Sequence, residues 1–362
     1  MPSVAIIGTR GYPSYYGGFE TAVRKLAPAL CDMGWDVTVY GRSASRPTVD
    51  TGDTRVARPT TRGLETKSLS TLSYGLTASL DAARKRPDVA LVMNVANGFF
   101  LPLLEARGIP TLVNVDGIEW ERAKWNGAAK RVFKAGAKCT ARFASSLVFD
   151  ARAIEDYWRI HFRAHGHFIP YGGDVPPPSE VPDGLNHRGY VLMVARFVPE
   201  NTVPEFFEAV PRVAEQYPVV IVGSSGYGGE FDRAAQALAD RCSAVKWLGH
   251  VSDDSLLLAL WQHAGAYFHG HSVGGTNPAL VQAMAAGAPV VARDTVYNRE
   301  VLGEAGLFVE PNAVSIRDGL LKLMSHEEEK ERASLANAQR AEALYSWDTI
   351  CRDYERALRQ LI

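Results

Sequence analysis

Residues able to hold an anion cluster at strand ends along this chain. In "VARFVPEN", Arg196 follows an apolar run, and its guanidinium fork can hold phosphate oxygens through two hydrogen bonds or pair with a surface carboxylate. In "YFHGHSVGGTNPALVQAMAAGAPVVA", Tyr267 to Ala292, a strand-like run ends near His269 and a loop with Gly274 and Gly275 follows. Asn277 can cap a helix that has Pro278 in its first turn, where a missing N–H costs nothing. The N–H groups around Gly275, Thr276 and Asn277 then make a ready anion site. Gly287 can close that helix in the left-handed conformation. Two more glycine loops follow strand-like runs: "GTRGYPSYYGGFE", with Gly17-Gly18, and "VGSSGYGGE", which starts beside Gly223. A residue without a Cβ lets a ligand approach the backbone closely, although a structural turn would use the same glycines. In "VKWLGHV", Trp247 and Val251 can frame a nucleobase, or Trp247 can fill a core. The chemistry these parts suit is cleavage of a bond to a diphosphate, with amide dipoles and an arginine taking up the growing charge. No Asp-x-Asp pair occurs, and the His-Gly-His triplets at 165–167 and 269–271 lack ligand spacing, so no metal or other cofactor is expected.

These loops need strands to hold them. "SVAIIG" precedes a helical pattern with Phe19, Val23, Leu26, Ala27 and Leu30 on one face. "WDVTVYG", "VALVMNV", "PTLVNVDG" and "SSLVFDA" follow, and fully apolar strands separated by helices indicate a parallel sheet covered on both faces. A Pro- and Gly-rich stretch from Pro170 to Gly189 interrupts the pattern, which restarts with "YVLMVARF", "VVIVGSSG", "VKWLGHV", "AYFHG", "APVVARD" and "GLFVEP". The expected fold is α/β, with two Rossmann-like doubly wound parallel-sheet domains facing a cleft. The boundaries are 1–170, a linker at 171–188, a second domain at 189–343 and a helix at 344–362. The first loop lacks the GxGxxG spacing of a dinucleotide fold, which argues against an oxidoreductase.

Bulk properties agree with two soluble domains: 362 residues, 46% apolar, 22% charged and a net charge of −1. Residues 1–168 carry 23 Lys/Arg against 15 Asp/Glu, and the remainder 16 against 25, so a basic half precedes an acidic one. Cys31, Cys139, Cys242 and Cys351 show no ligand spacing, the start lacks a signal-peptide pattern, and reduced thiols in the cytoplasm are expected. The apolar stretch Val89 to Leu104 is broken by Asn94, Asn97, Gly98 and Pro102, against a membrane span. Residues 119–144 carry seven Lys/Arg and two acids among Trp120, Trp125 and Phe133. Such a stretch can rest on anionic lipid at the inner face of a plasma membrane, or simply cover a sheet. No recognition motif for nucleic acid accompanies it.

Together, "YYGGFETAVRKLA", "VDGIEWERAKW", "IPYGGD", "ARFVPENTVPEFFEA", "VKWLGHV", "HGHSVGGTNPALVQAMAAGAPVVA" and "NREVLGEAGLFVE" resemble the retaining glycosyltransferases of family 4, which have the GT-B fold. The combination "GGFET", "DGIEW", "RFVPEN" and "GGTNP" is similar to a bacterial rhamnosyltransferase-like branch that makes polysaccharides. The resemblance implies that Gly17-Gly18, Arg196, Asn201 and the loop Gly274, Gly275, Thr276 and Asn277 hold a donor diphosphate and sugar. It implies that Gly223, Trp247, Val251 and Gln282 lie at the nucleoside, and that the last helix crosses back onto the first domain. Asp116, with Arg196, is the candidate for the catalytic machinery. Asp116 would orient the acceptor hydroxyl, with Glu119 as its alternative on the acceptor side, and either can instead cap the following helix.

The family's two glutamates, with seven residues between them, are replaced here by Gly274 and Gln282, and Ser272 stands where the branch often keeps an acid. An amide can still bond ribose hydroxyls. The expected reaction is metal-independent, retaining transfer of rhamnose or another hexose. Its donor is dTDP- or UDP-linked, with GDP as a further option, and its acceptor is a glycan or lipid-linked glycan. A catalytically silent sugar-nucleotide or glycan binder and a GT-B nucleotide-sugar epimerase are the alternatives.

Overall fold

The computed structural model describes residues 1–14, 17–43, 51–64, 70–122, 125–226 and 228–362. The chain divides into two units: Met1–Tyr171 with Trp347–Ile362, and Gly172–Ser346.

The first unit runs β1 (Ser3–Ile7), α1 (Gly18–Asp32), β2 (Asp36–Val39), β3 (Gly41–Arg42), β4 (Thr60–Thr61), α2 (Ser70–Lys85), β5 (Val89–Met93), α3 (Leu101–Glu105), β6 (Thr111–Asn114), α4 (Gly127–Phe143), β7 (Ser146–Phe149), α5 (Arg152–Phe162) and β8 (His167–Phe168). Its main sheet is parallel, in the order β2-β1-β5-β6-β7-β8, and Ile6 sits in register with Val39 on one side and Leu91 on the other. Every residue of β5 is buried, because helices cover both faces and leave no polar side to the strand.

The second unit runs β9 (Val191–Val194), α6 (Val203–Val213), β10 (Val219–Val222), α7 (Glu230–Arg241), β11 (Val245–Trp247), α8 (Asp254–His263), β12 (Ala266–His269), α9 (Pro278–Ala285), β13 (Val290–Arg293), α10 (Val296–Leu302), β14 (Leu307–Val309), α11 (Ala313–Ser325) and α12 (Glu327–Leu344). Its sheet order, β11-β10-β9-β12-β13-β14, is the doubly wound Rossmann order. Alternation assigns β9 to two cores. Val191 and Met193 join the side of Phe206 and Phe268, whose rings stack at 5.0 Å, while Leu192 joins the side of Trp261, Leu280 and Met284.

The chain then returns to the first unit as α13 (Trp347–Arg359). Trp347, Ile350, Tyr354 and Leu358 on α13 are buried in one core with Leu26, Leu30, Trp35 and Val39. Trp35 Nε1 donates to Glu355 at 3.2 Å.

Residues 171–188, expected as a linker, are for the most part attached to the second unit, from Gly172 onward. Ser179 Oγ donates to Gln262 at 2.5 Å. The Arg188 guanidinium bonds the carbonyls of Ala264 and Gly287 and the Ser334 hydroxyl at 2.7–2.9 Å. Prolines and glycines exclude regular structure there but leave carbonyls and N–H groups for neighbouring helices to bind.

Candidate functional site

In the second unit the strand order reverses between β9 and β12. The loops leaving two adjacent strands part at such a point, and open α/β sheets bind ligands there. Arg196 lies in the loop after β9, and Gly274 to Asn277 lie in the loop after β12. Arg196 is exposed, and no ion pair with a described residue engages it.

Its backbone, by contrast, is fastened. Asn201 is 4% exposed and its Nδ2 donates to the Arg196 carbonyl at 2.8 Å. The Asn201 amide is thus engaged on the backbone of Arg196. Ser272 donates from N and Oγ to the Glu200 carbonyl at 3.0 and 2.8 Å. Thr202 Oγ1 donates to the Gly270 carbonyl at 2.6 Å and accepts from Arg293 at 3.1 Å. Asn298 Nδ2 donates to the carbonyls of His271 and Arg293 at 3.0 and 2.8 Å. The loops after β9, β12 and β13 thus form one hydrogen-bonded frame, a role that nothing in the sequence of Ser272, Thr202 or Asn298 announced.

Gly274 has φ +98°, Gly275 and Thr276 are buried, and Asn277 Oδ1 accepts from Ala279 N at 2.9 Å to cap α9. His269, at the end of β12, is fully buried. Its Nδ1 lies 3.1 Å from the Tyr267 hydroxyl, and its ring stacks on His271 with centroids 4.4 Å apart. Burial, then the neighbouring His271, push the His269 imidazole well below its usual range, so it is neutral.

Two of the expected nucleoside residues are engaged within the fold. Trp247 Nε1 donates to the Gly223 carbonyl at 2.9 Å, and its ring lies alongside Phe197. Gln282 Oε1 accepts from Asp174 N at 3.0 Å and its Nε2 donates to Asp174 O at 2.7 Å. The family-like role of Gln282 at a ribose gives way to a two-point clamp on the chain at Asp174. Gly223 has φ +141°, and a Cβ there would lie 1.8 Å from the Ala195 carbonyl oxygen. Only glycine lets that loop pass so close to the Arg196 loop. Val251 is half-buried at the margin of the core containing Leu260.

In the first unit the corresponding reversal lies between β1 and β5. A Cβ on Gly8 would lie 2.3 Å from the Met93 carbonyl, which explains the glycine that ends β1. Gly17 is extended at the start of α1, Gly18 is the first helical residue, and the Gly17 carbonyl accepts from Thr21 N at 3.0 Å. The acid just inside α1 also finds its use here. Glu20 is 8% exposed and accepts from Arg10 N at 3.3 Å, drawing the loop toward the helix. Tyr15 and Tyr16 of this loop lie outside the described residues.

Asp116 follows β6 with φ +57°, a left-handed conformation that costs a non-glycine residue about 1–3 kcal/mol and concentrates at functional sites. Its N–H donates to Asn114 Oδ1 at 2.9 Å, and Asn114 Nδ2 donates to the Tyr354 hydroxyl at 2.6 Å. Tyr171 lies nearby. Burial, then the charges of Asp116 and Asp150, push its phenol well above the usual range. Asn114, Tyr171 and Tyr354 escaped sequence reasoning. The one available signal was the closeness of Asn114 to Asp116, an amide at the last residue of β6 two positions before the candidate acid. Glu119, the expected alternative to Asp116, is 5% exposed. Its Oε1 pairs with Arg122 at 2.7 Å and its Oε2 accepts from Trp125 at 2.9 Å, so both oxygens pin the local turn.

Of the aromatic rings among the described residues of 119–144, Trp120 is buried while Trp125, Phe133 and Phe143 are half-buried. Trp120 is 7% exposed among Tyr157, Trp158 and Phe162, and Trp125 packs on Phe133 at 5.1 Å. The exposed face of α4 carries Arg131, Lys134, Lys138 and Arg142. Among the described residues no helix is long and apolar enough to cross a membrane.

Comparison with known proteins bears on the family and the fold. Residues 17–172 match the family model "Glycosyl transferase 4-like domain", and residues 183–341 match "Glycosyl transferases group 1". The O-antigen chain mannosyltransferase B of Escherichia coli is 27% identical over 172 residues, 45% of this chain and 44% of that protein. The phosphatidyl-myo-inositol mannosyltransferase of Mycobacterium leprae is 32% identical over 191 residues, 50% of each. The chain therefore spans about half the length of the curated relatives it matches. Among solved structures, a sucrose-phosphate synthase from Thermosynechococcus elongatus aligns over 100% of this chain and 99% of its own, with TM-score 0.81 and 19% identity. Anabaena HepE in complex with UDP aligns over 99% and 100%, with TM-score 0.75 and 15% identity. At these identities the likeness establishes the fold.

Proposed function

We propose that this chain, a family 4-like glycosyltransferase of GT-B fold, moves a hexose from a nucleoside diphosphate to a hydroxyl of a glycan or lipid-linked glycan. The bond from the anomeric carbon to the diphosphate breaks, and a bond from that carbon to the acceptor oxygen forms. The acceptor proton passes to a diphosphate oxygen on the same face, which retains the anomeric configuration. The observation that carries this reading is Arg196: an exposed guanidinium on a rigidly framed loop at the strand-order reversal, adjacent to the capped loop Gly274–Asn277. A cation and amide dipoles fixed in advance stabilise a departing diphosphate without a metal. In the first unit, Gly17-Gly18 is backbone that a donor can approach closely, and Asp116 orients the acceptor hydroxyl.

Two lines converge on the sugar. The curated relatives are mannosyltransferases by name, and the loop motifs resemble rhamnosyltransferase-like enzymes. Mannose and rhamnose share an axial hydroxyl at C2, so a sugar of that configuration is the proposed cargo. UDP, bound by HepE, heads the choice of nucleotide, before dTDP and GDP. The proposed location is the cytoplasm, with peripheral contact at the inner face of the plasma membrane as an option. The Gln282 clamp favours a second reading, a sugar-nucleotide binder without turnover, because no carboxylate stands at that position.

The test is a thermal-shift screen with UDP, dTDP and GDP sugars, followed by transfer assays with the best stabiliser. Arg196→Ala should reduce kcat about 100- to 1,000-fold while leaving the melting temperature of the free protein unchanged. Stabilisation by a nucleotide sugar with neither transfer nor hydrolysis selects the second reading. Full turnover by Arg196→Ala removes the first.

A further inference from the structure

We propose that the groove between α4 and α5 binds the already assembled part of an acidic glycan, one carrying carboxylates along its length. The inference rests on the reading of the acceptor as a glycan. The groove measures about 530 Å³ and is lined by Lys134, Lys138, Ala141, Arg142, Tyr157, His161 and Phe162. That volume falls within the roughly 300–1,000 Å³ typical of small-molecule sites.

One wall is a row of charge. Lys134, Lys138 and Arg142 are four residues apart on α4, so each step advances about 6 Å along one helix face. No ion pair with a described residue engages them, whereas on α5 Arg152 pairs with Glu155 and Arg159 with Asp156. The groove is therefore a strip of uncompensated positive charge. The other wall is aromatic. Tyr157 and His161 lie with ring centroids 4.2 Å apart, and the Tyr157 hydroxyl accepts from Trp120 Nε1 at 3.1 Å, which fixes its ring. Sugar rings present C–H faces that pack on aromatic faces, while their carboxylates seek cations. A row of cations opposite a row of rings suits a chain with both features.

Its place in the fold separates it from the transfer centre. α4 leads into β7 and α5 leads out of it, so the carboxyl-terminal halves of both helices lie toward the amino ends of the strands. Asp116 follows the carboxyl end of β6, toward the opposite edge of the sheet. A polymer held in the groove is thus held by a part other than its reacting end. A bilayer is the poorer occupant, because the rings line a concavity and Trp120 is buried among Tyr157, Trp158 and Phe162.

The experiment measures binding to the full chain by calorimetry, with no nucleotide sugar present. The probes are an oligogalacturonate, its methyl ester and phosphatidylglycerol vesicles. The oligogalacturonate should bind and the ester should not. Lys138→Glu should weaken binding roughly five- to tenfold, and Arg142→Gln should weaken it in the same direction. Arg241→Glu, the same charge change on α7, should leave it unaltered. Equal binding of the ester, equal loss with Arg241→Glu, binding of vesicles in preference to the oligosaccharide, or no binding at all overturns the proposal. None of these results touches the donor reading, since no donor takes part, and loss of transfer in Arg196→Ala leaves the groove result standing.

Discussion

Asp116 holds a left-handed backbone that asparagine tolerates almost as well as aspartate. Asp116→Asn should therefore keep its unfolding free energy within about 0.5 kcal/mol of the parent. Its transfer rate should fall about 100-fold or more if the carboxylate orients the acceptor. Near-normal turnover would remove Asp116 from the mechanism. Gln282 allows a complementary test. Gln282→Glu keeps the acceptor for Asp174 N but turns a carboxylate on the Asp174 carbonyl. An unfolding free energy lower by about 1–2 kcal/mol in urea titration is expected, and an unchanged value would show that the clamp contributes nothing. Residues at strand ends, such as Arg196 and Asp116, were legible in the sequence because a strand end restricts what its loop can do. The hydrogen bonds of Asn201, Gln282 and Trp247 were not legible because each goes to a backbone carbonyl, and a carbonyl has no letter of its own in a sequence.

At the level of elements, the glycine loop after β10 is a packing device before it is anything else. Gly223→Ala should cost about 2–3 kcal/mol, since a methyl group would collide with Ala195. Gly226 in the same loop has φ +83° but open space around its Cβ position, so Gly226→Ala should cost only about 1 kcal/mol. Similar losses for the two variants, compared in urea, would show that the collision relaxes. Strands such as β5 and β10 were plain in the sequence because burial on both faces leaves an unbroken apolar run. The attachment of residues 172–188 was not, because its bonds come from Arg188 and from helices about a hundred residues downstream.

At the scale of the molecule, two imidazoles, exposed His187 and fully buried His269, set an acid limit on stability. Burial, then the Arg188 charge and His263, push His187 down; Lys330 acts in the same sense and Glu327 against it. His187 Nδ1 lies 2.8 Å from His263 Nδ1, while His263 Nε2 faces the Ser179 carbonyl at 3.0 Å. His269 is lowered further. Because the folded protein binds fewer protons at these sites than the unfolded chain, stability is full above the ordinary histidine range and falls as pH drops from about 7 to about 5. Asp88, bonded by Ser3, and Asp294, bonded by Arg299, titrate below that window. Urea unfolding across it should show the decline, and His269→Gln should flatten it. An equally steep decline in that variant would assign the effect elsewhere.

The return of α13 to the first unit bears on how the molecule is made. A ribosome delivers β1 to β8 early, yet the seam lined by Leu26, Leu30 and Trp35 stays open until Ile350, Tyr354 and Leu358 emerge. Throughout synthesis of the intervening unit, that greasy strip must be kept from other nascent chains. The unit that begins first is sealed last.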